Sequence, residues 1–455
     1  MTSLQHITHV YFIGIGGIGM SALARYLNEQ GKIVAGYDKV ITSLTKQLEE
    51  EGIDIHYDDN FDSIPADFKN LETAQVIFTP AIPATMDELI RFRESGVPIL
   101  KRAQLLGQIS QTMTCLAVAG THGKTTTSAI LAHLLYKSDV KVTAFCGGIL
   151  EEYNTNYLCS GTDVMVVEAD EFDRSFMQLS PDVAGITAMD ADHLDIYGDV
   201  ATFEQTFHDF AALLENKTLI VNEQVIIDGI KVGLKQGKYQ AINIVIAGGA
   251  YHFDLRVDKA VYKGFCLQLP GKHNLSNALL ALAMAIEYGV AIEALKLALV
   301  TFKGVERRFT YRVNTAERVL IDDYAHHPTE VNAVHQAVRE MYPQEKVLAI
   351  FQPHLFSRTK DFMEEFVSSL AQFDQLALLD IYPARELPIE GITSQVLCNK
   401  IQKLDAKPSV VNVLDKEDIA EFIDEMNTRV VVMIGAGDIG VEIKKLISIP
   451  SKNER

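Results

Sequence analysis

Short apolar runs alternate with amphipathic stretches along most of this chain, and the alternation starts afresh twice. The run HVYFIGIG is followed by MSALARYLNEQ, whose apolar residues recur at helical spacing. KIVAGYD, a helical stretch carrying Leu44 and Leu48, IDIHYDD, VIFTPAI and GVPILKRAQLLGQ continue the order. Continuous apolar strands separated by amphipathic helices predict an α/β segment on a mostly parallel sheet.

A second α/β block opens with the apolar run Cys115 to Ala119 and a helical stretch from Thr125 to Tyr136. Strands are expected at KVTAF, DVMVVEADE, VAGITAMD and KTLIVNE, then a β-rich stretch over 240–270. The helices NLSNALLALAMAIEYG and IEALKLALVTF close the block, and KGVERRF ends it. The alternation restarts at RVLIDDYAHHP and runs through KVLAIFQP, FDQLALLDIYP, SVVNVL and VVVMIGAGDIG. Boundaries near 108 and 312 divide the chain into segments 1–107, 108–312 and 313–455.

Composition narrows the class. With 48% hydrophobic and 22% charged residues the chain is ordinary globular protein, and no apolar run approaches the ~20 residues of a membrane span. A formal charge of −19 argues against nucleic acid as a partner. Cys115, Cys146, Cys159, Cys266 and Cys398 are scattered without a Cys-x-x-Cys pair, which suggests neither a disulfide framework nor a zinc site. The start MTSLQHITHV has no signal-peptide core, so a reducing, cytoplasmic location is expected.

VAGTHGKTTTSA is a variant phosphate loop. Gly120 stands two residues nearer the Gly-Lys-Thr than the general pattern asks, the expected position being Val118. Its strand-to-helix setting still gathers backbone N–H groups for an anion, with Lys124 to reach outer phosphates and the Thr125 hydroxyl placed for a magnesium ion. GIGGIG, Gly14 to Gly19, fits a dinucleotide fingerprint, with Asp38 nineteen residues after Gly19. That pattern admits a nicotinamide cofactor, another diphosphate ligand or a bare tight turn.

Four further blocks carry candidate chemistry. In VVEADEFDRSF, Glu168 ends an apolar strand, where a carboxylate can hold magnesium; MDADHLDIYGD brings His193 to another strand end between Asp192 and Asp195. In GKHNLSNALLA, Asn274 reads as a helix cap, while Asn277, one turn further in, is free to read a base edge. Arg307 and Arg308 of GVERRF, with His326, His327, His354 and Arg358 of DDYAHHP and QPHLFSRT, suit carboxylates or phosphates.

These blocks, in this order and nearly end to end, resemble the Mur ligase family, and among its activities most closely the addition of L-alanine to UDP-N-acetylmuramate. GIGGIGMS, DDYAHHPTEV and DIYPARE carry the finer likeness. The resemblance implies an α/β protein of three domains: a Rossmann-like UDP-sugar domain (1–107), a central P-loop-type ATPase domain (108–312) and a Rossmann-like C-terminal domain (313–455). It implies an ATP- and Mg²⁺-dependent ligation through an acyl phosphate in peptidoglycan precursor synthesis, by a monomer or weak homodimer. A ligase recycling a tripeptide onto the same sugar is the alternative.

Carried over by motif, Gly120, Thr121, His122, Gly123, Lys124, Thr125 and Thr126 would bind ATP phosphates, Asn277 adenine, Arg308 the γ-phosphate and Asp323 the nucleotide. Gly16, Gly17, Ile18, Gly19, Asp38, Thr79, Ala81 and Arg102 would take the UDP-sugar, and His326 and Arg358 the substrate carboxylates. Thr125, Glu168 and His193 would serve the metal, and Lys124, His193 and Arg308 catalysis. The chain departs from the family at Leu355, where the alanine-adding members commonly carry Arg. Phe207 stands about where several sister ligases carry a carbamate-forming lysine.

Overall fold

The computed structural model describes residues 6–190, 197, 199–384 and 386–448, and among these the strands form three sheets. The first contains β1 (His9–Ile13), β2 (Ile33–Tyr37), β3 (Asp54–His56), β4 (Ala74–Phe78) and β5 (Ile99–Lys101) in the order β3-β2-β1-β4-β5. All its pairings are parallel. The chain leaves β1 toward β2 and later crosses to β4 on the other side, so the glycine turn after β1 lies at the switch point, where open α/β sheets bind ligands.

The second sheet contains β6 (Thr114–Ala119), β7 (Val142–Leu150), β8 (Thr155–Cys159), β9 (Val164–Glu168), β10 (Val183–Ile186), β11 (Thr218–Asn222), β12 (Ile230–Gly233), β13 (Tyr239–Ala247), β14 (Ala250–Val257) and β15 (Ala260–Leu267). Its order is β15-β14-β13-β12-β11-β10-β6-β9-β7-β8. β6 lies between parallel β9 and β10, so the phosphate loop, Glu168 and the end of β10 emerge side by side.

The third sheet orders β16 (Thr310–Asn314), β17 (Val319–Asp323), β18 (Val347–Phe351), β19 (Gln375–Leu378), β20 (Val411–Val413) and β21 (Val430–Ile434) as β16-β17-β21-β18-β19-β20. Only the edge strand β16 runs antiparallel. Its apolar strands pack under helices such as Pro328–Met341 and Met363–Leu370.

By contacts the chain divides into two compact units, one of residues 1–243, 253–265 and 276–302, the other of 244–252, 266–275 and 303–455. The first unit holds the first sheet and most of the second. Leu23 and Leu27 of helix Ile18–Glu29 join Phe145 and Tyr157 of β7 and β8 in one buried cluster. Among the described residues no helix is long and apolar enough to cross a membrane.

One local expectation changes. Asn274 does not cap its helix: the helix spans Lys272–Tyr288, and Asn274 Nδ2 donates to the Pro270 carbonyl at 2.7 Å. An N-cap side chain would accept a backbone N–H instead.

Candidate active site

The two loop glycines are forced by space as well as by torsion. Gly120 has φ +128° and a Cβ there would meet Thr187 Oγ1 at 2.0 Å; Gly123 has φ +82° and a Cβ would meet Asn277 Oδ1 at 2.4 Å. Asn277 therefore lies directly against the phosphate loop. The end of β10 pins the loop from its other side, with Thr121 N–H donating to Ala188 O at 3.1 Å and Asp190 N–H to Thr121 Oγ1 at 3.1 Å. His122 Nε2 stands 3.6 Å from Asp190 Oδ2. Thr126 is buried in the first turn of helix Lys124–Lys137.

Lys124 Nζ donates to Gly120 O at 2.6 Å and pairs with the Glu171 carboxylate at 2.8 Å. Burial works against its charge, but the carboxylates of Glu171, Asp170 and Glu168 outweigh burial and hold the ammonium above its ordinary range. Glu171 is pushed up to about 7 by burial, with Lys124 opposing the rise. At the next residue, Thr125 Oγ1 donates to the two Glu168 oxygens at 3.1 Å. A Cβ on Gly147 would fall 1.9 Å from Glu168 Oε2, so that glycine makes the room in which the carboxylate lies. Hydroxyl and carboxylate form an all-oxygen donor pair, which suits a hard cation such as Mg²⁺. His193 lies outside the described residues.

The glycine turn of the first sheet opens into the same region. A cavity of about 320 Å³ is lined by Gly17, Ile18, Gly19, Thr79, Ala81 and Arg102 on one side and by Glu168 and Asp170 on the other. Arg102 spans it, with Nη2 at 3.3 Å from Asp170 Oδ2, and a Cβ on Gly19 would stand 3.0 Å from its Nη1. Asp38 serves the turn itself: its Oδ2 accepts Gly16 N–H at 2.8 Å and its Oδ1 accepts Val40 N–H at 3.1 Å. Gly16 is required there, since a Cβ would lie 2.6 Å from Thr45 and 2.8 Å from Asp38.

The second unit gathers the remaining candidates around Tyr324. The Arg308 guanidinium lies 5.2 Å from the Tyr324 ring centre. Asp323 is buried, its Oδ2 accepting Phe309 N–H and its Oδ1 accepting Ala325 N–H, each at 2.8 Å. Burial raises its carboxyl to about 7, against the pull of Arg308 and of those two donors. His326 Nδ1 is 3.0 Å from Tyr324 O and 3.3 Å from Glu330. Burial lowers its pKa, Glu330 opposes this, and the charge of Arg358 adds to the lowering, which places Arg358 within its field. Arg358 is 8% exposed on helix Phe356–Asp361. His354 stacks on Tyr382 with centroids 5.7 Å apart and meets His326 edge-on at 5.9 Å. Leu355, the departure, has φ +71° and donates its N–H to Tyr382 O at 2.9 Å. His327 caps helix Pro328–Met341, its Nδ1 accepting Thr329 N–H at 3.3 Å.

The UDP-N-acetylmuramate–L-alanine ligase of Christiangramia forsetii is 53% identical over 449 residues, 98% of each chain. That of Flavobacterium psychrophilum is 54% identical over 448 residues, covering 97% of this chain and 99% of its own. This chain belongs to the Mur ligase family. Three family models match in succession: "Mur ligase family, catalytic domain" over 9–114, "Mur ligase middle domain" over 118–285 and "Mur ligase, glutamate ligase domain" over 307–437. The crystal structure of UDP-N-acetylmuramate-alanine ligase from Thermotoga maritima superposes with a TM-score of 0.82 at 27% identity, covering 97% of this chain and 98% of that one. A murein peptide ligase from Psychrobacter arcticus shares the fold, with a TM-score of 0.69 at 22% identity.

In this Mur ligase the fold brings the loop residues Gly120 to Thr126 together with Asn277 and Glu168, and the glycine-turn residues together with Arg102, Thr79 and Ala81. Two polar residues at this site escaped the reading of the sequence. Glu171 was one carboxylate among four in its block, and nothing local distinguishes the one that turns inward onto Lys124. Thr187, whose Oγ1 donates to Ala119 O at 3.2 Å, carries no motif at all.

Proposed function

We propose that this Mur ligase uses ATP to join L-alanine to UDP-N-acetylmuramate, the step that starts the peptide of a peptidoglycan precursor. It does so in the cytoplasm, as a monomer or weak homodimer. The observation that carries the reading is the single cavity running from the Gly17–Gly19 turn to Glu168, beside the Lys124–Thr125 loop. A diphosphate on the turn and a triphosphate on the loop then meet at one carboxylate.

The lactyl carboxylate of the sugar attacks the γ-phosphorus of ATP and ADP leaves. The alanine amine then adds to the acyl phosphate carbon, phosphate departs, and the amine proton is lost. No side-chain nucleophile is needed, because positioning and charge neutralisation lower both barriers. Lys124 exchanges Glu171 for phosphate oxygens, and the loop N–H groups hold the chain of phosphates. Thr125, Glu168 and His193 would hold Mg²⁺, which when bound neutralises phosphate charge. Arg308 faces the γ-phosphate, Asn277 the adenine side, and His326 and Arg358 the substrate carboxylates.

The test is UDP-N-acetylmuramate-dependent phosphate release from ATP, screened over L-alanine, glycine, L-serine and the muropeptide tripeptide. L-alanine should lead, with glycine and serine behind by ~1–3 kcal/mol in kcat/KM, the scale at which a pocket separates ligands differing by one small group. Release driven by the tripeptide and not by L-alanine would overturn the reading. Lys124→Ala should abolish turnover while calorimetry still records binding of the UDP-sugar.

A further inference from the structure

The glycine block GAGDIG, residues 435–440, follows β21 and precedes helix Ile439–Ser448, the setting of a dinucleotide cradle, yet the proposed reaction gives it no ligand. The chain fills it from within. Arg307 Nη1 donates to Gly437 O at 3.3 Å and Nη2 donates to Gly435 O. Its Nε reaches Asp322 Oδ1 at 3.3 Å, and the guanidinium lies 5.0 Å from the Tyr324 ring centre. A Cβ on Gly440 would fall 2.5 Å from Arg307 Cζ, so the third glycine of the block clears the way for the arginine. The loop turns carbonyls toward a cation, and the Ile439 N–H at the helix start is taken by Gln352 Oε1 at 3.0 Å.

What this lock controls is the turn on which Arg308 stands. Arg307 and Phe309, on either side of it, have φ +63° and +55°, a left-handed conformation that residues with side chains adopt only when their surroundings impose it. Asp323 fixes Phe309 through its N–H, and the Tyr324 N–H fixes Arg307 O at 2.7 Å. We infer that Arg307 is a positioning residue for phosphoryl transfer: its guanidinium, seated in the 435–440 glycine loop, holds the strained turn that presents Arg308. The inference rests on the proposed role of Arg308 at the γ-phosphate.

The experiment is a mutant cycle read by steady-state kinetics and thermal denaturation. Arg307→Ala and Gly440→Ala, which dislodge the guanidinium from opposite sides, should each lower kcat about tenfold or more and leave KM for UDP-N-acetylmuramate unchanged. Arg307→Lys should not restore kcat, since an ammonium cannot serve two carbonyls and a carboxylate in the planar fork. In an Arg308→Ala background, Arg307→Ala should cost little more, because its effect passes through Arg308. A full, additive loss in that background, or folded Arg307→Ala and Gly440→Ala proteins with wild-type kcat, would overturn the inference. Wild-type kcat for Arg308→Ala itself would remove the proposed role of Arg308 and the inference with it.

Discussion

Lys124 Nζ lies 2.8 Å from the carboxylate of Glu171, whose side chain is 2% exposed. The ammonium proposed to receive the phosphates is thus already held by a carboxylate of the neighbouring strand end, with a second bond to Gly120 O. With Lys124 in the proposed phosphate-binding role, binding of ATP would be an exchange of partners, not the capture of phosphate by an open cation.

Glu171→Gln should therefore destabilise the protein without nucleotide by ~3–5 kcal/mol at most, the cost of breaking a buried pair while its other charge remains. Phosphate oxygens supply the missing negative charge. Thermal denaturation with and without a non-hydrolysable ATP analogue and Mg²⁺ checks this: the analogue should raise the melting temperature of the variant more than that of the wild type. Equal shifts would contradict the exchange.

Phe207 is fully buried in an aromatic cluster, edge-on to Phe176 at 5.5 Å and beside Phe203 at 5.2 Å. Phe207→Ala should cost ~3–5 kcal/mol of stability, a transfer and cavity effect measured by denaturant unfolding. A phenylalanine accepts no CO₂, so removing bicarbonate and CO₂ from the assay should leave the wild-type rate unchanged. A rate that collapses and returns on adding bicarbonate would place a carbamate elsewhere in the site.

Asn156 of β8 clasps the helix that starts at the glycine turn. Its Nδ2 donates to Ile18 O at 2.5 Å and to Ser21 Oγ at 2.9 Å, and its Oδ1 accepts from Arg25, which pairs with Glu51. Asn156→Ala leaves these buried groups short of a partner, at ~1–3 kcal/mol. The effect should appear as weaker UDP-N-acetylmuramate binding in calorimetry, with KM for ATP unchanged. Equal losses for both substrates would mean the clasp supports the whole unit, not the turn.

Glu88 sets a pH dependence in the first sheet's domain. Buried beside Tyr11, whose hydroxyl donates to its Oε2 at 2.8 Å, it is pushed up to about 7 by burial, with Tyr11 and the Asn60 N–H opposing. In the unfolded chain a glutamate titrates near ~4.3. The folded state binds the proton more tightly, so the Glu88 contribution is fully present below that value and is lost as pH rises through about 7. Burial lowers the neighbouring His56. Glu88→Gln should gain melting temperature relative to the wild type on going from pH 5 to pH 8. A constant difference across that range would show that Glu88 stays ionised when folded.

The sequence alone determined the strand-turn-helix positions of Gly14–Gly19 and Gly120–Thr126, the parallel α/β character of its three stretches, and Glu168 at a strand end. Each depends on short-range facts: the period of apolar residues, the torsional freedom of glycine and the orphan N–H groups of a helix start. Three short strands, β8, β12 and β16, were not legible, because four or five residues, as in TNYLC, carry little periodicity and take their conformation from the strand they pair with. Side-chain roles were decided by the tertiary structure. Asp38 is found bracing the glycine turn through Gly16 N–H and its own loop through Val40 N–H, and Asn274 reads as a cap until its amide is found donating to Pro270. Arg307 and Arg308 are indistinguishable as letters. They differ because a glycine loop more than a hundred residues downstream turns its carbonyls onto one of them, and no local pattern encodes which distant backbone oxygens a guanidinium will meet.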